Sequence, residues 1–365
     1  MSLVWNASSG ELPYVEGGPS PMPFHRALPQ YAPTPLVELS TLAGELGVDA
    51  VWVKDESSRL GLPAFKILGA SWAVYRVLRR LIGAESEPVG GFGALEERLA
   101  PFYPLRLVAS TEGNHGRAVA RVAAWLGFES MILIPSGADE RRIDAIRGEG
   151  AEVVEVDGTY DDTVEQVRRL VGPRDLLIQD TAWDGYETIP RWVVQGYATM
   201  LLEVDEQLAD RDGPTLVAVQ CGVGSLASAV VTHYRRSGLG SPPALVSVEP
   251  LGAACVQASF RRGRRSPAPA LRESIMAGLN CGEMSTLAWP VLRAGLDASL
   301  AIDDAQAARG VQELERGGIS AGASGAAGLA GVLALRWATR DGTVTGRLAI
   351  GRATRILVFC TEAAG

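Results

Sequence analysis

Lys66 directly follows Phe65 and opens the run Ile67, Leu68, Ala70, Ser71, Trp72, Val74 and Tyr75, whose apolar residues recur at helical spacing. Gly61 and Pro63 break regular structure just upstream, so the spacing predicts a helix from near Lys66 to about Ile82. An ammonium at the buried start of an apolar helix loses its hydration unless an anion neutralises it or a covalent bond consumes it. A Schiff base removes that cost and makes the lysine a covalent catalyst. The competing reading is a lysine whose stem lies along the helix while its head reaches water. On this stretch alone the second reading is favoured, and the rest of the chain has to supply partners for the first.

Four other places offer chemistry, each after a β-rich run. Ser110, Thr111, Glu112, Gly113, Asn114, His115 and Gly116 precede a helical pattern. Hydroxyls, an amide and glycines at a helix N-terminus suit an anion, because free backbone N–H groups and the helix dipole both face outward. A substrate carboxylate held by Ser110, Thr111, Gly113 and His115 is one candidate occupant, and a plain N-cap with glycines in a tight turn is the alternative; taken alone, His115 reads as structural. Cys221, Gly222, Val223, Gly224 and Ser225 open another helix and suit a phosphate, although a plain strand–helix turn has the same pattern. The third glycine and downstream acid of a dinucleotide site are missing, as is the Gly-Lys-Ser/Thr ending of a Walker loop. Asp180, near Trp183 and Tyr186, offers a carboxylate as general base, or simply a loop cap. Cys360 and Thr361 offer a thiol or a hydroxyl after the last strand, suited to a ring nitrogen.

The elements that must position these groups follow from alternation. Strands are predicted at 50–53, 107–109, 131–134, 153–156, 176–179, 216–220, 245–248 and 356–359, with helical patterns between them. Short β-rich runs alternating with helices mean parallel βαβ units, an α/β fold with helices on both sheet faces. Ligands in such folds bind beyond the carboxyl ends of the strands, where all five places lie.

Composition narrows the partners. The 365 residues are 47% hydrophobic and 21% charged, enough for about two domains of ordinary globular type. A net charge of −8 with no basic stripe argues against nucleic acid, and the Arg261, Arg262, Arg264 and Arg265 cluster reads as a solvated loop. The longest apolar stretch, 326–335, is too short to span a bilayer, and no secretory pattern opens the chain, so a cytoplasmic protein is expected. Four scattered cysteines and three histidines make neither a disulfide framework nor a metal site.

In chain order these are a lysine after an aromatic, a Ser-x-x-Gly-Asn-His-Gly loop, a glycine-rich loop and a small polar residue after the last strand. That order resembles the pyridoxal-phosphate enzymes of fold type II, the tryptophan synthase β-like group. The blocks DESSRLGLPAFKILGAS, STEGNHGRAVA, QDTAWDGYETIPRWVVQGY, QCGVGSLASAV, MAGLNCGEMSTLAW and ISAGASGAAGLAGVLAL are similar to those of diaminopropionate ammonia-lyases, from about residue 30 to 362.

The resemblance implies two domains, each with a twisted, mostly parallel sheet flanked by helices. Residues 1–84 and 190–365 would form a large cofactor-binding domain and 85–189 a smaller mobile one. It implies pyridoxal 5′-phosphate bound as a Schiff base to Lys66, with Phe65 against the ring. Asn114 would contact the 3′-oxygen, Gly222, Val223, Gly224 and Ser225 the phosphate, and Thr361 or Cys360 the ring nitrogen. Glu112 and Asp180 stand where the family keeps acids that act on the α-hydrogen of D- and L-substrates respectively. The implied reaction is α,β-elimination on 2,3-diaminopropionate or a close β-substituted amino acid, giving pyruvate and ammonia through aminoacrylate, in a homodimer. The alternatives are a β-replacement synthase, a serine/threonine dehydratase-like lyase or, more remotely, an inactive α/β binding protein.

Several positions depart from the family pattern. Glu112 replaces the usual Asp, and its extra methylene displaces the carboxylate by roughly an ångström, which weakens the expectation for the D-isomer. Pro63 replaces a polar residue, and the chain ends at 365, short of the family's usual length. Cys255 and Cys281 lie within family blocks and are candidates to approach one another.

Overall fold

The alternating pattern folds into two parallel-rich sheets, each in its own compact unit. In the computed structural model, residues 1–7, 10, 12–13, 18–111, 113–158, 160–236, 241–269, 272–344 and 346–364 are described. The first unit comprises Met1–Gly17, Pro33–Arg59 and Met200–Gly365; the second comprises Gly18–Ala32 and Leu60–Thr199. This division differs from the expected boundaries at 84/85 and 189/190. Residues 60–84 go with the second unit because the helix Lys66–Leu81 packs on the helices Thr188–Gly196 and Asn114–Leu126.

The strands in chain order are β1 (Ser2–Trp5), β2 (Leu36–Glu38), β3 (Ala50–Asp55), β4 (Arg106–Ser110), β5 (Glu129–Pro135) and β6 (Glu152–Val156). They continue with β7 (Asp175–Leu177), β8 (Leu216–Gln220), β9 (Ala244–Pro250), β10 (Ala298–Ile302) and β11 (Arg355–Cys360). In the first unit the order is β1-β10-β9-β8-β11-β3-β2, parallel except for the two edge strands β1 and β2. In the second unit the order is β6-β5-β4-β7, all parallel. The expected α/β class with helix-flanked parallel sheets is thus the observed one.

Three strands escape the sequence pattern. β1 and β2 are short antiparallel edges, and β10, Ala-Ser-Leu-Ala-Ile, is fully buried yet poor in β-formers. Its place between β1 and β9 overrides its weak intrinsic preference. The helical pattern between the predicted strands 176–179 and 216–220 is two helices, Thr188–Gly196 and Ala198–Gln207, broken at Tyr197.

Small residues set the packing in both units. Along the helix Ala323–Arg340, Gly328 lies over the Ala218 carbonyl, and a Cβ on Gly331 would come within 2.5 Å of Val248 Cγ2. That helix therefore sits close on the buried faces of β8, β9 and β11, where Ala218, Val246, Val248 and Val358 meet Ala326, Ala327 and Ala330. Among the described residues no helix is long and apolar enough to cross a membrane, and no group of three or more His, Cys, Asp or Glu could hold a metal ion.

In the second unit, Gly196 is where two helices touch backbone to backbone. A Cβ there would overlap the Leu68 carbonyl oxygen and lie 2.9 Å from Gly69 Cα. Gly196→Ala is therefore expected to lower stability by about 2–3 kcal/mol in chemical denaturation, since no flexible side chain can yield. Gly93→Ala, with no atom within 4 Å of the added carbon, should stay within about 0.5 kcal/mol of the parent.

Candidate active site

Lys66 does not reach into water. Its Nζ donates to Asp180 Oδ2 at 2.6 Å, with the two side chains 24% and 11% exposed. The lysine opens its helix immediately after Phe65, whose ring centroid is 5.5 Å from Nζ. Tyr197 packs against that ring at 4.7 Å between centroids. Gly69 leaves room for Tyr197, since a Cβ there would lie 2.9 Å from its Cζ.

Asp180 is buried, which by itself pushes its carboxyl up. The Lys66 ammonium and the hydrogen bond from its Nζ outweigh burial and hold it well below the usual carboxylate range. His115 is buried too, and that burial lowers its pKa and keeps the ring neutral. Its Nε2 lies 2.8 Å from the Ile178 carbonyl, which can only accept, so Nε2 carries the proton. Nδ1 is then a lone pair, 3.9 Å from Asp180 Oδ2 and without a hydrogen bond, as expected of two acceptors facing each other. The cluster thus holds one cation and one neutral base within reach of a single carboxylate.

The loop carrying Asp180 is braced from below. Register pairs Val108 of β4 with Leu177 of β7, which sets Ser110 beside Gln179. Ser110 N donates to Gln179 Oε1 at 3.0 Å, and the Gln179 amide bonds the Ser110 hydroxyl in return. Tyr186 donates its hydroxyl to Leu177 O at 2.6 Å, accepts from Gln179 N at 3.2 Å, and stacks on Trp183 at 4.4 Å. The Ser110 side chain is accordingly engaged inside the fold.

Thr111 Oγ1 accepts from Gly113 N and Gly116 N, tightening the turn into the helix Asn114–Leu126. A Cβ on Gly116 would strike Ile132 Cγ2 at 2.6 Å, so this glycine is required by packing. Asn114 is half-buried at the first helical position. Glu112 lies outside the described residues.

The first unit carries the glycine loop. Gly222 O receives Cys221 Sγ and Cys255 Sγ at 3.7 and 3.8 Å, and Val223 O receives Ser285 N at 2.9 Å. A trans peptide places its C=O and N–H on opposite sides. The amides of Val223 and Gly224 therefore point away from those partners, and neither they nor Gly222 N donates a hydrogen bond among the described residues. Ser225 follows at the first turn of the helix Ser225–Tyr234. Gly222 is walled by Cys281 Sγ at 2.9 Å from where its Cβ would be, and Gly224 is left-handed (φ 96°) with Ala288 Cβ at 2.7 Å. The result is a row of open N–H groups at a helix N-terminus, a donor set for an oxyanion.

Thr361 and Cys360 are told apart by the strand. Thr361 Oγ1 accepts from Gln220 Nε2 at 2.7 Å, and Gln220 also donates to Phe359 O and Gly325 O. Cys360 is part of the hydrophobic core, and burial pushes its thiol far up. No disulfide joins Cys221, Cys255, Cys281 and Cys360; Cys255 and Cys281 both lie against Gly222.

Sequence reading passes over Tyr197, Gln179 and Gln220. The signal was there for the two glutamines. Each closes a β-rich run with a polar side chain where burial leaves no water, and such a group must find protein partners. Tyr197 carried no such signal, because it sits in what reads as one continuous helix.

Comparison with known proteins follows the same lines. The sequence model of the family described as "Pyridoxal-phosphate dependent enzyme" matches residues 27–346. The diaminopropionate ammonia-lyase of Salmonella typhimurium is 36% identical over 352 residues, spanning 93% of this chain and 87% of that one. The crystal structure of the Escherichia coli diaminopropionate ammonia lyase in complex with D-serine superposes with a TM-score of 0.89 at 33% identity, covering 99% of this chain and 93% of that one. The same enzyme in complex with an aminoacrylate-PLP azomethine reaction intermediate gives 0.87 at 34% identity, with the same coverage.

The depressed carboxyl of Asp180 makes stability depend on acid. Its contribution is complete above the ordinary carboxylate pKa of about 4 and is lost as pH falls through the lower folded value. Urea midpoints measured from pH 6 down toward pH 2 are expected to fall less steeply in Asp180→Asn than in the parent. Identical slopes would place this carboxyl at an ordinary value.

Proposed function

Because the chain belongs to the diaminopropionate ammonia-lyase family of pyridoxal-phosphate dependent enzymes, we propose that it eliminates the β-amine of 2,3-diaminopropionate. Loss of the α-proton and of the β-amine leaves 2-aminoacrylate, which water converts to pyruvate and a second ammonia. The observation that carries this reading is the 2.6 Å contact between Lys66 Nζ and Asp180 Oδ2. It sets a nucleophilic amine and a proton acceptor side by side in a site that burial keeps largely dry.

The residues fit the cofactor. The open amides of Gly222, Val223 and Gly224, with Ser225, suit its phosphate. Lys66 is the amine for its aldehyde, Phe65 would flank its ring, and the Asn114 amide would meet its 3′-oxygen. Thr361, pinned by Gln220, offers the ring nitrogen a neutral hydroxyl, which supplies no counter-charge to a protonated ring. When bound, pyridoxal phosphate supplies an aldehyde for amines and an electron sink for charge at the substrate Cα.

The proton steps belong to the chain. Asp180 Oδ2, kept ionised, accepts the proton that Lys66 Nζ must lose to become a nucleophile and returns it once the substrate amine has released the lysine. Ionised again, Asp180 acts as base toward the α-hydrogen of the L-isomer, and the reprotonated Lys66 ammonium delivers its proton to the departing β-amine. Glu112 stands at the position for the D-isomer with one methylene too many, so the L-isomer is the preferred substrate. Of Ser110, Thr111, Gly113 and His115, expected to hold the substrate carboxylate, the first three give their N–H groups to Gln179 Oε1, Leu133 O and Thr111 Oγ1, and His115 Nε2 donates to Ile178 O, so these donors are committed inside the fold. A homodimer in the cytoplasm, acting on a small amino acid, is the setting the resemblance supports.

Borohydride reduction of the protein as purified is expected to fix a cofactor-sized mass on Lys66, and Lys66→Ala should lose both the mass and pyruvate release. Asp180→Asn should lower kcat on L-diaminopropionate by about 10²–10⁴-fold with a smaller change in KM. Absence of pyruvate from diaminopropionate, serine and threonine alike would overturn the lyase reading.

A further inference from the structure

The chain passes between the two units at 17/18, 32/33, 59/60 and 199/200. One buried cluster in the first unit gathers residues next to the last three of these passages: Thr34, Arg59 and Glu203, joined by Glu56 and Lys54. Arg59 donates Nε and Nη2 to Glu56 at 2.8 and 2.5 Å, Nη1 and Nη2 to Glu203 at 2.7 and 2.8 Å, and Nη2 to Thr34 Oγ1 at 2.8 Å. Lys54 Nζ adds a 2.6 Å ion pair to Glu203. Two cations balance two anions, all four side chains fully buried. Burial pushes the Glu203 carboxyl up, but Arg59 and Lys54 hold it down at about 2, so Glu203 stays ionised across physiological pH.

Buried ion networks seldom add net stability over an apolar replacement; where they are kept, a specific conformation is what they define. The conformation next to this one is unusual. Leu60, immediately after Arg59, has φ 52°, and Gly61 has φ 73°. A left-handed leucine is strained, and such a residue persists only where its surroundings over-determine it. Arg121 holds the far side of the turn, with Nη1 3.4 Å from Leu60 O and 3.3 Å from where a Gly61 Cβ would be. Five residues beyond Gly61 the chain reaches Lys66.

We propose that Arg59, through its two-carboxylate clamp, holds the left-handed Leu60–Gly61 turn and thereby seats Lys66. Arg59 is a positioning residue: it touches neither substrate nor cofactor, and it acts through the path of residues 60–65. The inference rests on Lys66 being the cofactor lysine. Its planar fork is what the role needs, because an ammonium cannot engage two carboxylates in the same rigid geometry.

Leu60 provides the test, since its variants leave the ion cluster intact. Leu60→Val places a β-branched residue at the left-handed position. It is expected to lower kcat by about tenfold or more and weaken the visible circular dichroism of the holoenzyme, with KM for diaminopropionate within about threefold. Leu60→Gly, which relieves the strain at the cost of a buried side chain, should melt earlier yet keep kcat and circular dichroism at parent values. Arg59→Lys should behave like Leu60→Val, and adding Leu60→Gly to it should recover at least about half of the lost circular dichroism. A Leu60→Val protein that melts earlier but keeps kcat and circular dichroism would show a turn with only a structural part, overturning the proposal. So would an Arg59→Lys signal that Leu60→Gly leaves unrecovered. A parent protein with no cofactor mass on Lys66 would instead overturn the functional reading, an outcome distinct from both.

Discussion

An ammonium and a carboxylate at 2.6 Å, both largely out of water, are the contact around which the second unit is arranged. Either charge alone would be costly there; together they cancel, and Asp180 stays ionised despite its burial. The helix Lys66–Leu81 supplies the lysine, the loop after β7 supplies the aspartate, and neighbouring β4 carries the Ser110–Gln179 brace beneath it. His115 completes the group as a neutral base whose proton is committed to the Ile178 carbonyl. Phe65 and Tyr197 form the apolar side that keeps the pair from being dissolved by solvent.

The first unit arranges something different, a row of open N–H groups with no cation in the loop itself. Peptide planarity does the work. Once Gly222 O and Val223 O are engaged by thiols and by Ser285 N, the next two amides must face the other way. The glycines are required twice over: at 222 by the approach of Cys281 and at 224 by a positive φ and by Ala288. Gln220, at the end of β8, then ties this loop's strand to Thr361 after β11.

Much of this was legible in the residues. Alternation of β-rich runs with amphipathic helices revealed the α/β class, and the rule that ligand-binding loops follow strands directed attention to five loops. The motif order revealed the cofactor class. Strand β10 was not legible, because alanine and serine have no β signal of their own. Nor was the break at Tyr197, since apolar periodicity runs straight through it and only packing against Phe65 and Gly69 shows why the helix restarts there.

The sequence by itself determined which chemical groups are present and on which kind of element each stands, because periodicity and strand–loop–helix order are local properties. Only the tertiary structure decided the state of those groups. That Lys66 is paired rather than solvated, that Thr361 and not Cys360 stands with Gln220, and that Ser110 is engaged by Gln179 all depend on partners far away along the chain. Charge state, tautomer and accessibility are set by burial and by neighbours within a few ångströms, and those neighbours are chosen by strand register and helix packing. The left-handed turn at Leu60 belongs with these: a leucine carries no local preference for it, and the buried clamp on Arg59 lies beside it only in the folded chain.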